Sequence, residues 1–538
     1  MNSDNGQKFA IAIDGPAGAG KSTIARAVAK ELGYIYVDTG AMYRAMALYL
    51  LRNGMQYDTA QSDPAAFESR AALLCRDADI SIRYQDNEQI VLLAGENVNP
   101  YIRTGEVSAM ASASSALSCI RERMVEIQKN LALQENVVMD GRDIGTVVLP
   151  NAQVKVFLTA GVKERARRRY LEDLEKYNRE VSKAQETGAG VSLKKPDLEK
   201  IEEDIRIRDE RDMNRQNSPL RQADDAVLVD SSDMSVDQVM ETILNLVCVK
   251  KKRPQVITAK TAGFCFGVRN AIDTVYKQAE AKENGPINTF GPIIHNEIVV
   301  EDLRKKGVGV INTVEEIDAQ EGGTIIIRSH GVSKALYERA LGSRARVIDT
   351  TCTFVKRIHE IVQRESLAGK HIIIIGNHGH AEVEGTMGWA EGPVTVIESK
   401  DEALAFDAPK DVPLCVVAQT TFNERKFQEL VATLKSRDYN CSVENTICNA
   451  THERQTEAGK IASLADVMIV IGSRSSSNTA KLYDICSEVC DRTVFLTGAE
   501  EPDLNLTGAE KIIGITAGAS TPKNIIKEVQ NHVRRTEF

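Results

Sequence analysis

The stretch Val247-Cys248-Val249-Lys250-Lys251-Lys252-Arg253-Pro254-Gln255 reads as a domain joint that divides the 538-residue chain in two. Ahead of it, Val236, Val239, Met240, Ile243, Leu244 and Val247 recur with the i, i+3, i+4, i+7 spacing of one buried helix face. Ser235 and Gln238 have the S-x-x-Q spacing of a capping box and mark where that helix should begin. Four consecutive cations and a proline then end it, because proline brings no backbone donor and the charges need not be buried. A new apolar run opens at Val256-Ile257. The expected organisation is a domain over 1–247, a linker over 248–255 and a second region over 256–538. All eight histidines follow the joint, whereas the nucleotide-type glycine loop precedes it.

A prior of roughly 150 residues per domain suggests three or four compact units. The net charge of -9 gives no support to general nucleic-acid binding, so any phosphate recognition must be local. No apolar run approaches the ~20 residues needed to span a bilayer. The polar start, Met1 to Gly6, leads quickly into a strand and leaves no room for a secretory signal. The expectation is a cytoplasmic chain with no nucleic-acid or membrane partner, whose ten cysteines stay reduced as buried thiols or as ligands.

Phe9 to Ile13 is an apolar run of strand length, followed at once by Gly15-Pro16-Ala17-Gly18-Ala19-Gly20-Lys21-Ser22-Thr23. This matches G-x-x-x-x-G-K-[ST]. Ile24, Val28 and Leu32 then continue as a helix with Gly33 as its stop. Strand, loop and helix are the context in which glycines let backbone N–H groups turn around phosphate oxygens. Lys21 would reach the β/γ-phosphates of ATP and the Ser22 hydroxyl would hold Mg²⁺. Two further strands, ending in Asp38-Thr39-Gly40-Ala41-Met42-Tyr43-Arg44 and in Asp140-Gly141-Arg142-Asp143-Ile144-Gly145-Thr146, carry polar groups into the crevice of a doubly wound sheet. Val154 to Leu158 reads as a fourth strand. Arg165, Arg167, Arg168 and Arg169, with the helical set Arg208, Arg211, Asp212 and Arg215, could neutralise phosphoryl oxygens. Spacings of three and four put Arg208, Arg211 and Arg215 near one helix face.

Together these motifs resemble bacterial cytidylate kinase over about Lys8 to Val247. The resemblance implies a P-loop, parallel-sheet fold of the nucleoside-monophosphate-kinase type with a lid and a nucleotide-side insertion. It also implies phosphorylation of CMP and dCMP by ATP with Mg²⁺. It assigns the monophosphate to Thr39, Arg44, Ser112, Arg121, Asp140 and Arg142, and the acceptor side of the lid to Arg208, Asp212 and Arg215. Arg179 to Lys200, with Gly188-Ala189-Gly190, looks longer than the short lids of the family, and Leu51 to Asn99 fits the insertion. A P-loop kinase for another small acceptor is the rival.

Beyond the joint, Thr324–Arg328, His371–Ile375 and Val467–Ile471 are buried parallel-type strands, each opening into glycine and small polar residues. Ile512 to Thr516 leads similarly to Ala517-Gly518-Ala519-Ser520. Several α/β lobes with converging loops are expected. Cys265, Cys352 and Cys448 fall at nearly equal intervals, as one per lobe would. No C-x-x-C pair is present to suggest a zinc ribbon. Taken singly, a cysteine is more often a small buried hydrophobe. That reading is kept for Cys75, Cys119, Cys248, Cys415 and Cys441, and for Cys486 and Cys490 at helical i, i+4 spacing. His359, His371, His378, His452 and His532 are read as surface or structural.

The ordered set Gly263-Phe264-Cys265-Phe266-Gly267-Val268, Ile294-His295-Asn296, Ser329-His330-Gly331, Thr351-Cys352-Thr353, Gly379-His380-Ala381-Glu382, Gln419-Thr420-Thr421, Ile447-Cys448-Asn449-Ala450-Thr451 and Ser476-Ser477-Asn478 closely resembles 4-hydroxy-3-methylbut-2-enyl diphosphate reductase. The match spans about Val256 to the C-terminus; Ala381 and Thr353 stand where that family often has proline. The resemblance implies a three-lobed α/β iron–sulfur enzyme with a 4Fe-4S cluster on Cys265, Cys352 and Cys448. One iron would be left open to the substrate's allylic oxygen. It implies Glu382 as proton source, with Thr420 and His380 in the relay or positioning shell. His295, His330, His380, Thr420, Ser476, Ser477, Asn478 and Ser520 would hold the diphosphate. Electrons would come from an external donor of ferredoxin or flavodoxin type, giving isopentenyl and dimethylallyl diphosphates. The rival is a non-catalytic module using the same cysteines for zinc.

Overall fold

The computed structural model describes residues 8–85, 88–187, 194–215, 217–281, 285–497, 506–507 and 509–535. The chain divides into two compact units, Met1–Lys252 and Arg253–Phe538.

In the first unit the strands are β1 (Ala10–Asp14), β2 (Ile35–Asp38), β3 (Ile80–Gln85), β4 (Glu88–Leu93), β5 (Glu96–Asn97), β6 (Val137–Gly141), β7 (Val154–Thr159) and β8 (Val227–Asp230). Five of them form a parallel sheet in the order β2-β6-β1-β7-β8. Every residue of β1 is buried, which is why its run is apolar rather than alternating. β3, β4 and β5 form a separate antiparallel sheet within the Leu51 to Asn99 insertion.

The helix Lys21–Leu32 follows the glycine loop and stops at Gly33, whose φ of 67° is a left-handed cap. The helices Val162–Thr187 and Leu198–Asn214 flank the expected lid. Gly188-Ala189-Gly190, and the polar start Met1 to Gly6, lie outside the described residues. The Leu198–Asn214 helix ends one residue before Arg215, which is extended (ψ 140°). Arg215 therefore leaves the shared helical face on which spacing alone had put it with Arg208 and Arg211. The helix Val236–Lys250 begins with both arms of the Ser235/Gln238 capping box. It runs on through Cys248 to Lys250, so only 251–254 separate it from the next strand.

In the second unit the strands are β9 (Gln255–Thr258), β10 (Ile287–Phe290), β11 (Val308–Ile311), β12 (Thr324–Ile327), β13 (Arg346–Asp349), β14 (His371–Ile375), β15 (Val394–Ile397), β16 (Leu414–Ala418), β17 (Cys441–Val443), β18 (Val467–Ile471), β19 (Thr493–Leu496) and β20 (Ile512–Ala517). They form three four-stranded parallel sheets, β11-β10-β12-β13, β15-β14-β16-β17 and β19-β18-β20-β9. Each sheet has the same order: second, first, third, fourth strand. In the third sheet the fourth place is taken by β9, the unit's own first strand, with Gln255 opposite Ile512. The three sheets are thus repeats of one lobe, the last closed by chain from the start of the unit. Strand ends that correspond by this rule can then bring equivalent loops to a common place.

Candidate active sites

In the first unit, Gly15, Gly18 and Gly20 have φ of +150°, +76° and +83°, conformations that L side chains rarely adopt. A Cβ on Gly15 would also run into the backbone carbonyl of Leu158, so this glycine is needed for close approach as well. Lys21 is buried and its Nζ donates to the Pro16 carbonyl at 2.7 Å. Burial first, and Arg142 next, hold the Lys21 ammonium well below its ordinary pKa. A phosphate chain would supply the missing countercharge.

Ser22 Oγ donates to Asp140 Oδ2 at 2.8 Å, and the Tyr36 hydroxyl donates to Asp140 Oδ1 at 3.0 Å. Asp140 and Ser22 meet because β6 lies beside β1, and burial pushes the Asp140 carboxyl up. Thr39 Oγ1 donates to the Asp140 carbonyl at 2.7 Å. Around these groups the cations are paired. Arg44 faces Asp38 at 3.4 Å, Arg142 Nε donates to Asp212 Oδ2 at 2.8 Å, and Arg121 and Arg215 both face Asp143. Arg208 is held below its ordinary pKa by burial first and by Arg142 next. Ser112 lies half-buried on the helix Gly105–Ser114, where its carbonyl accepts from Ser115. Arg165 has a different task from the one its arginine-rich neighbourhood suggested: it is buried and donates to the carbonyls of Ala17 and Ala160 and to Asp209. It fastens the phosphate loop to the Leu198–Asn214 helix. Asp143, quoted in the motif but given no role, joins the two acceptor-side arginines.

In the second unit, Cys265, Cys352 and Cys448 line one cleft, whose empty volume, mouth included, is ≈ 780 Å³. Each follows the fourth strand of a sheet (β9, β13, β17) and stands at the start of a helix: Phe266–Ala281, Thr353–Leu367 and Asn449–Ala462. Helix N-termini favour thiolates. Burial pushes the Cys352 and Cys448 thiols up, with backbone N–H groups and, at Cys448, Thr451 opposing. Cys448 Sγ lies 3.0 Å from Thr451 Oγ1. A Cβ on Gly267 would stand 2.7 Å from Cys352 Sγ, so glycine clears the space around that sulfur. Among the described residues no three His, Cys, Asp or Glu side chains converge on a point suited to a single metal ion.

Loops after the first and third strands supply the rest of the cleft. His295, His330 and His380 cluster with tilted or edge-on rings, their centroids 4.6 Å, 5.6 Å and 5.9 Å apart. Burial lowers the pKa of all three, that of His380 to about 4, so they are neutral at pH 7. His295 Nε2, His330 Nδ1, Asn478 Nδ2 and Ser520 Oγ are buried in this cleft without a hydrogen-bond partner. Each such orphan costs about 1–3 kcal/mol. A ligand with many acceptor oxygens satisfies them together. Ser476 Oγ accepts from the Thr479 N–H at 3.4 Å, and Ser477 Oγ donates to Asn377 at 3.1 Å.

Glu382 is buried in the cleft wall and accepts from the Thr420 N–H at 2.6 Å and from Thr420 Oγ1 at 2.7 Å. Burial raises its pKa, with Thr420 opposing. His380 Nδ1 accepts from the Glu382 N–H at 3.1 Å and so caps that short helix. Three soft sulfur donors, a cleared space beside one of them and a ring of orphaned polar atoms fit an iron–sulfur cluster next to an anionic ligand. Sequence reasoning passed over Arg454, Arg328 and Lys481. Arg454 lines the cleft; Arg328 acts on the three histidines; Lys481, held near pKa 8 by burial, acts on Glu382.

Residues 256–534 match the family model described as LytB protein, and residues 11–249 match that described as cytidylate kinase. A 4-hydroxy-3-methylbut-2-enyl diphosphate reductase of Thermoanaerobacter sp. (strain X514) is 42% identical over 280 residues, covering 52% of this chain and 96% of its own. The protein of that name from Geobacter sulfurreducens is 41% identical over 280 residues, covering 52% and 97%. The solved E-1-hydroxy-2-methyl-but-2-enyl-4-diphosphate reductase of Plasmodium falciparum aligns with a TM-score of 0.49 at 30% identity, over 51% of this chain and 86% of that one.

Proposed function

Because the chain belongs to the LytB protein family through residues 256–534 and carries a cytidylate kinase domain over 11–249, we propose that it is a bifunctional enzyme. One unit phosphorylates CMP and dCMP with ATP and Mg²⁺. The other reductively dehydroxylates 4-hydroxy-3-methylbut-2-enyl diphosphate to isopentenyl and dimethylallyl diphosphates. The domains run over 1–247 and 256–538. No helix among the described residues is long and apolar enough to cross a membrane; the proposed setting is the cytoplasm, with an external ferredoxin- or flavodoxin-type donor.

The observation that carries the reductase reading is the meeting of Cys265, Cys352, Cys448, Glu382, Thr420 and the orphaned polar atoms in one cleft. Held by Cys265, Cys352 and Cys448, a 4Fe-4S cluster would supply electrons singly. The protein's own groups do the remainder. His295, His330, Asn478 and Ser520 donate to the diphosphate, with His380, Ser476 and Ser477 beside them. Burial raises the Glu382 pKa and so favours the form that carries a proton. With Oε2 protonated, the Thr420 hydroxyl 2.7 Å away can turn, give its own proton to a leaving hydroxyl and take the carboxyl's proton in return.

In the kinase unit Gly15 through Thr23 cradle the ATP phosphates, and Lys21 and the arginines neutralise charge as the phosphoryl group moves. Ser22 and Asp140 are adjacent and suit a Mg²⁺ site at the loop. Thr39, Arg44, Ser112, Arg121, Asp140, Arg142, Arg208, Asp212 and Arg215 are assigned to CMP, with Asp143 orienting Arg121 and Arg215. Two assays on one preparation test the proposal: ATP-dependent CMP turnover, and anaerobic substrate reduction with a low-potential donor. Cys448→Ser should abolish the second and spare the first. CMP turnover negligible beside another acceptor, or reduction that survives Cys448→Ser, refutes the respective half.

A further inference from the structure

The three lobes repeat, and the repeat is broken at one buried position. Six residues after each cleft cysteine, on the helix that the cysteine begins, stand Ala271, Ile358 and Arg454, and all three are buried. Two of these positions are apolar packing, as a helix face turned inward requires. The third carries a guanidinium that is only 3% exposed.

That guanidinium is fixed. Nη1 donates to the Ala517 carbonyl at 2.7 Å and Nη2 to the Gly263 carbonyl at 2.9 Å. Ala517 ends β20, just before the loop of Ser520, and Gly263 lies two residues before Cys265. One side chain, on the helix begun by Cys448, thus ties down the approach to Cys265. Both carbonyls are neutral, so no carboxylate cancels the charge through these bonds. Burying a cation on neutral partners is expensive unless negative charge is nearby. Arg454 lines the same cleft as Cys265 and Cys448, and these two sulfurs, ahead of the Glu457 carboxylate, are the groups that favour its charged form; as thiolates holding a cluster they would supply that charge.

We propose that Arg454 is a positioning residue that offsets the charge of the Cys265 and Cys448 thiolates and thereby sets how readily the cluster they hold is reduced. The inference rests on the cluster reading above. A fixed cation stabilises the reduced, more negative form relative to the oxidised one. The apolar occupants of the two equivalent positions cannot do this, so the electrostatic bias falls on one side of the cleft.

The test is an anaerobic redox titration of full-length protein, followed by electron paramagnetic resonance, with iron and sulfide measured on each sample. Arg454→Gln is expected to lower the midpoint so that the reduced-to-oxidised ratio at the wild-type midpoint falls about tenfold, or ~59 mV for one electron. Arg454→Lys, which keeps the charge but not the two-pronged tie, is expected to restore most of that ratio. An unchanged midpoint in Arg454→Gln overturns the proposal. So does a shift in Arg454→Lys as large as in Arg454→Gln, since the carbonyl tie would then be what matters. If Arg454→Gln holds no iron, Arg454→Lys with wild-type iron supports the charge role, and Arg454→Lys without iron overturns it. Wild-type protein lacking both iron and sulfide is a separate result, which removes the cluster reading itself and this inference with it.

Discussion

Thr420 meets Glu382 at both carboxylate oxygens, its N–H on Oε1 at 2.6 Å and its hydroxyl on Oε2 at 2.7 Å. The pair joins the loop after β16 to the helix after β14, so the acid is held by its own lobe. Glu382→Gln keeps the shape and removes the transferable proton. Single-turnover reoxidation of reduced protein by substrate should slow by about 10²–10⁴-fold, with diphosphate binding little changed. Thr420→Ser should retain most activity and Thr420→Val little. Equal rates for Ser and Val variants would show that the hydroxyl is not in the relay.

Binding of inorganic diphosphate should take up protons. His295, His330 and His380 are neutral at pH 7 because burial lowers their pKa values. An anion in the cleft favours their charged forms and raises those values. Affinity should therefore strengthen as pH falls from about 7 to 6. Calorimetry in buffers of different ionisation enthalpy reads the uptake directly; heats independent of buffer would contradict it.

The same burial makes the second unit acid-sensitive. For His380 the folded pKa of about 4 lies below the ordinary histidine value of 6.5, so the unfolded chain binds the proton first. The stability it confers is present above pH 6.5 and is lost as pH falls toward 4, by at most about 3 kcal/mol. Denaturant titrations between pH 7 and 4 should show the slope, and His380→Asn, which keeps a helix cap, should flatten it. An unflattened slope would place the acid sensitivity elsewhere.

Gly15→Ala should damage the first unit and spare the second. The added Cβ meets the Leu158 carbonyl, and the φ of +150° is unfavourable to alanine. A loss of about 3 kcal/mol or more is expected, seen as a lowered melting transition and loss of CMP turnover while reductase activity persists. Gly267→Ala should do the converse, because its Cβ would press on Cys352 Sγ at 2.7 Å. Kinase activity should stay and iron content fall; full iron in Gly267→Ala would show that the sulfur can move aside.

Much of this was legible in the residues because it is local. Ser235 and Gln238 announced a helix start, Gly33 a stop, and the isoleucine-rich runs of β12, β14 and β18 their own burial. Cys486 and Cys490 pack as their i, i+4 spacing suggested, with thiols turned to the Ala458 and Ala465 carbonyls. What could not be read depends on pairing across long separations. β9 is four residues of unremarkable sequence, yet it completes a sheet with β20. Arg454 and Lys481 stand on helices next to known motifs, but spacing does not say which turn faces a cleft. Asp143 gains its place only when Arg121 and Arg215 arrive from elsewhere in the chain. Arg165, one of a run of arginines, is singled out only by the carbonyls it reaches.

The central claim is that three thiols from three repeated lobes hold an iron–sulfur cluster in one cleft. Iron, zinc and acid-labile sulfide measured on anaerobically purified full-length protein test it most directly. About four iron and four sulfide per chain are expected, with both falling sharply in Cys265→Ser, Cys352→Ser and Cys448→Ser. Stoichiometric zinc with no iron or sulfide, or cluster content indifferent to all three substitutions, would contradict it.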